Sequence, residues 1–100
     1  MTLNDLQRIA AEMRAEVQRN GRASRDLSGG LGLWLVRIGD EWMLTLQRDD
    51  TSPSEVEIQT VVRDFAVPAG AQRVSINRVT TFCWSERPQP APMQQRLELV

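Results

Sequence analysis

Apolar positions early in the chain follow a helical period. Leu6, Ile9, Ala10, Met13 and Val17 are spaced to form a single stripe on an α-helix. Thr2 and Asp5 supply a capping pair, and Gly21 follows Asn20 where a left-handed residue ends a helix, so the pattern predicts a helix over Leu3–Asn20. The next ten residues, GRASRDLSGG, show no period and hold three glycines, and residues 21–30 read as a linker. Such a linker would let the first helix pack on its own sheet or on a partner.

From residue 31 the period changes to two. Leu31–Ile38 and Glu41–Arg48 alternate around Gly39-Asp40, a two-residue turn with glycine first, and predict a β-hairpin. The turn fixes the register, so Leu33, Leu35, Trp42, Leu44 and Leu46 share one face. Trp34, Val36, Ile38, Met43 and Thr45 share the other, which is too apolar for a wholly solvated surface. Ser52-Pro53-Ser54-Glu55 then opens a helix expected over 53–65, with Ser52 as N-cap and Ile58, Val61, Val62 and Phe65 as its stripe. Val74, Ile76, Thr80, Phe82 and Trp84 share one parity. They predict either one strand over Arg73–Ser85, bulged near Asn77-Arg78, or two strands parted by a tight turn there. Pro88, Pro90 and Pro92 lead into a last alternating stretch, Met93, Gln95, Leu97 and Leu99. The expected fold is α+β in the order α-β-β-α-β-β. An N-terminal helix (1–20) and a linker (21–30) precede a core domain (31–100) whose antiparallel sheet has three or four strands.

Composition narrows the chemistry. The 100 residues include no histidine, no lysine, no tyrosine and one cysteine, and all twelve cations are arginines. No imidazole is present to serve as a general base near neutral pH, and no lysine amine for Schiff-base chemistry. Triads built on histidine and Cys/His zinc sites are excluded with it. A lone Cys83 leaves no internal disulfide to form and suits a reducing, cytoplasmic setting. No leader pattern precedes the first helix, and no apolar run approaches membrane-spanning length. Exclusive use of arginine over lysine fits a GC-rich bacterial or phage coding sequence. Net charge is −1, divided as +1 over residues 1–28, −4 over 29–70 and +2 over 71–100. No segment forms a basic arm.

Three function classes remain. The first is a small non-enzymatic interaction protein, an accessory or adaptor subunit, that buries Trp34, Val36, Ile38 and Met43 against a partner protein or another copy of itself. Two helices cannot readily cover both faces of the sheet, unless the first folds back over these residues. The second class is an RNA- or DNA-contacting module, with Arg19, Arg22 and Arg25 touching phosphates and Arg78 and Trp84 contributing beside the exposed aromatics. Against it stands the acidic balance of the chain. The third is a carboxylate-dependent metal enzyme drawing on Asp49, Asp50, Glu55, Glu57 and Asp64, although Glu55 and Glu57 point in different directions on a helix. Gly29-Gly30-Leu31-Gly32 precedes a strand rather than a helix, so it reads as a lead-in and not a phosphate loop. Cys83, between Phe82 and Trp84, reads as a structural, at least half-buried thiol. No cofactor or metal site is expected.

Overall fold

The computed structural model describes residues 5–27 and 29–86. Its elements run α1 (Leu6–Asn20), β1 (Arg22–Leu27), β2 (Leu31–Ile38), β3 (Glu41–Arg48), α2 (Glu55–Asp64), β4 (Gln72–Ile76) and β5 (Val79–Ser85). The five strands form one antiparallel sheet in the order β1-β2-β3-β5-β4. The fold is a single α+β domain with the order α-β-β-β-α-β-β. The proline segment and the expected strand over 93–99 lie outside the described residues, as does Thr2.

The fifth strand comes from the segment read as a linker. Gly21 takes φ 84°, closes α1 through its N–H to the Val17 carbonyl, and turns the chain directly into β1. Its own carbonyl then accepts the Arg37 N–H at 2.9 Å, so the turn is tied to β2. Ala23 and Leu27 are buried, but the position between them on the same face is Arg25, which breaks the apolar alternation. An inward-facing charge is tolerated on an edge strand. Here Glu16 of α1 meets Arg25 at 2.9 Å.

The hairpin of β2 and β3 has the expected register, Leu33 opposite Leu46 and Leu35 opposite Leu44. Gly39 is at φ 61° while Asp40 stays at negative φ, the pattern of a turn whose first central residue is left-handed. In the last third the tight turn prevails. Asn77 adopts φ 56°, and Ile76 pairs with Val79.

Helix α2 begins two residues later than expected. Ser54 accepts the Glu57 N–H at 3.1 Å and Glu57 accepts the Ser54 N–H at 2.9 Å, a reciprocal capping box. This box competes successfully with the one starting at Ser52, because Glu57 in this place also meets Arg48 of β3 at 2.6 Å. Ser52 instead donates to the Asn77 carbonyl at 2.7 Å, holding the α2 entry against the β4–β5 turn.

Both helices lie on the same side of the sheet. Leu6, Ile9, Ala10, Met13 and Val17 of α1 and Ile58, Val61 and Phe65 of the α2 region join one core with Leu33, Leu35, Leu44, Leu46 and Phe82. Each such side chain contributes roughly 1.5–3 kcal/mol on leaving water. Helix α1 therefore packs on its own sheet, on the face with the leucines, and neither described helix covers the other face.

Candidate interaction face

The uncovered face is set by strand parity. Across β1, β2, β3, β5 and β4 one row reads Arg22, Val36, Met43, Cys83 and Gln72. The next reads Ser24, Trp34, Thr45, Thr81 and Val74, and a third reads Asp26, Gly32, Gln47, Val79 and Ile76. Ile38 and Glu41 lie beyond the first row, at the turn end. The large apolar side chains here are open to solvent: Trp34 40%, Met43 39%, Ile38 72%, Val74 52% and Ile76 64% exposed. Val36 and Val79 are half-buried by their neighbours, and Cys83 is exposed. At the centre the Thr45 and Thr81 hydroxyls hydrogen-bond to each other at 3.3 Å, so the polar groups there satisfy one another.

Trp34 lies flat rather than projecting. A β-carbon added at Gly32 would fall 2.8 Å from Trp34 Cη2 and 3.0 Å from Cζ3, so the indole covers the bare backbone of Gly32. The glycine read as part of a lead-in is a strand residue that makes room for a ring. The consequence is an apolar ring lying low on the sheet, with open hollows on either side of it, one beside Arg22, Val36 and Ile38 and one beside Asp26 and Gln47.

All four residues expected at an interface, Trp34, Val36, Ile38 and Met43, fall on this face. Val74, Ile76, Val79 and Cys83 were not anticipated there. Val74 and Ile76 share even numbering with Thr80, Phe82 and Trp84, but the two-residue turn at Asn77-Arg78 inverts the parity. It turns Val74 and Ile76 toward the open side, with Val79, Thr81 and Cys83. Cys83, expected to be buried or half-buried, is open because its register partner is Met43 and not a core leucine.

The residues read as possible nucleic-acid contacts do not assemble. Trp84 is on the helix side of the sheet, half-buried, its ring parallel to Trp42 with centroids 6.2 Å apart. Arg25 faces α1, Arg78 reaches the Asp49 carbonyl at the β4–β5 end, and Arg19 is exposed in the last turn of α1. Arg22 alone of the five is on the open face. Other arginines are engaged by acids. Arg37 pairs with Glu86 at 2.7 Å and lies 5.4 Å from the Trp42 ring centre, and Arg73 meets both oxygens of Glu55 at 3.1 Å. That double hydrogen bond, helped by Gln59, pulls the Glu55 carboxyl down to about 2.

The carboxylates weighed for metal chemistry are drawn apart in the same way: Glu55 to Arg73, Glu57 to Arg48 and Asp64 to Arg63. Among the described residues no three acids or thiols are grouped as metal ligands, and no helix is long and apolar enough to cross a membrane. No protein-family model, curated protein or solved structure matches the chain.

Proposed function

We propose that this chain is a small protein-interaction module of the accessory or adaptor kind, that it works by burying the open sheet face, and that the occupant is a second copy of itself. One observation carries the reading: an uncharged face over β2, β3, β5 and β4 exposes Trp34, Ile38, Met43, Val74 and Ile76 on the side that neither described helix covers. Exposed apolar patches that include Trp and Met side chains mark contact surfaces.

Charge and size favour self-docking. Arg22 and Asp26 stand on β1 at the two outer rows, about 13 Å apart, and neither has an ion-pair partner among the described residues. A two-fold axis along the central row, from Ser24 through Trp34 and Thr45 to Val74, lays β1 over β1 in the reverse direction. Arg22 of each copy then meets Asp26 of the other, and Val36 meets the Trp34 ring that lies over Gly32. Such an arrangement is isologous and closes as a dimer. Five strands about 4.8 Å apart and roughly six residues long give a footprint near 500 Å² per copy, about 1,000 Å² for two. That is where specific interfaces begin, and contacts at this small end of the range are weak and reversible.

Sedimentation velocity over a concentration series tests the proposal. The expected result is a reversible shift from monomer to dimer mass, lost in Trp34→Glu, which sets two carboxylates against each other at the axis. Arg22→Glu should weaken the dimer, and adding Asp26→Arg should restore it. A parent chain that stays monomeric at high micromolar concentration overturns self-docking. Recovery of a different protein, bound through Trp34, would assign the face to that partner instead.

A further inference from the structure

On the helix side, where the core thins beyond α2, a pocket of about 170 Å³ is lined by Arg14, Leu35, Trp42, Phe65, Ala66 and Trp84. Its walls are two parallel indoles, a phenyl ring and aliphatic carbon, and its only charge is the Arg14 guanidinium. Arg14 Nη1 is shut away from solvent and has no hydrogen-bond partner, and no acid pairs with this arginine among the described residues. A buried guanidinium N–H left without an acceptor is costly, and native proteins ordinarily supply one. Ala66, which also lines the pocket, holds φ 54°, a conformation usually left to glycine.

We infer that this pocket is a binding site for a small organic carboxylate with one hydrocarbon or aromatic ring. The carboxylate is the acceptor that Arg14 lacks, and it matches guanidinium geometry with two parallel hydrogen bonds. The ring packs against Trp42, Trp84 and Phe65, since a cavity of roughly 150 Å³ lined by apolar side chains accommodates benzene. A nucleotide is too large for it. A phosphate dianion would meet one cation and otherwise apolar walls. For a ligand of about ten heavy atoms the dissociation constant should be on the order of 1 mM.

Phenylacetate is the probe. In a Trp34→Phe chain the remaining tryptophan fluorescence comes from Trp42 and Trp84, and phenylacetate should change it saturably while raising the melting temperature in step with its concentration. Benzyl alcohol, which keeps the ring without the charge, and acetate, which keeps the charge without the ring, should each bind at least about tenfold more weakly. Arg14→Met should abolish the response to phenylacetate and melt no lower than the parent, because it removes an orphaned donor. Equal binding of benzyl alcohol, no saturation by tens of millimolar phenylacetate, or an Arg14→Met chain that still binds would each overturn the assignment. A markedly lower melting temperature for Arg14→Met would do so as well, by showing that the guanidinium is already satisfied within the fold.

Discussion

The two faces of the sheet are made from alternate residues of the same five strands, yet they meet different fates. Leu44 is fully buried under the helices, while Met43, one residue away, is 39% exposed. Both faces are rich in apolar residues, so hydrophobicity alone does not separate them. The difference lies in cover. The stripes of α1 and α2 converge on one side, where Arg25 with Glu16 and Arg48 with Glu57 tie sheet to helices. Among the described residues no helix lies on the other side. An apolar face that no described element covers is a surface suited to a second layer, and sheets close such layers by stacking about 10 Å apart.

The largest test of this contrast is a neighbouring pair of truncations. Leu44→Ala should cost about 2–5 kcal/mol in denaturant unfolding, because it opens a cavity in a closed core. Met43→Ala, measured below the association range, should cost about 0.5 kcal/mol or less. Similar losses at both positions would mean that the open face is already packed within the monomer. An intermediate effect is expected from Gly32→Ala. The new methyl group cannot coexist with the indole at 2.8 Å, so Trp34 must tip away from the sheet. The monomer should lose about 1 kcal/mol, and self-association should weaken with it, read as a shift in tryptophan emission and in sedimentation.

The smallest effect lies on the rim of the helix side. Glu55 is held at about 2 rather than 4.5 by its hydrogen bonds to Arg73, then Gln59. A depressed carboxyl stabilises the fold above its unfolded value, and this contribution fades as pH falls from 4.5 toward 2. The melting difference between the parent and Glu55→Gln should therefore narrow over that window. The pair is solvent-exposed, so the difference should be small throughout and smaller still in high salt. A large, salt-insensitive gap would show that this rim is part of the sealed side.

Much of this contrast was legible in the sequence, since the Gly39-Asp40 turn fixes which hairpin residues share a face. Trp34, Val36, Ile38 and Met43 followed from that register. What could not be read was the contribution of the last two strands, because an unbroken strand and a two-residue turn predict opposite parities for Val74 and Ile76 relative to Thr80 and Phe82. The pattern also hid β1, where Arg25 occupies an inward position that only Glu16 on a distant turn of α1 makes tolerable. The side on which α1 would settle depended on that strand. Once Gly21 passes directly into β1, the helix is held beside that edge strand and buries its stripe on the side where Ala23 and Leu27 face in. The Arg14 pocket had no sequence signal, since it joins residues from both helical regions and from the three strands β2, β3 and β5.

The most direct measurement of the central claim is the alkylation rate of Cys83, the single thiol and a member of the open face. If that face is where two copies meet, the rate should fall as the chain is concentrated through the micromolar range, and should stay constant in Trp34→Glu. A parent chain whose Cys83 reacts equally fast at every concentration, while sedimenting as a dimer, would place the contact elsewhere and contradict the account.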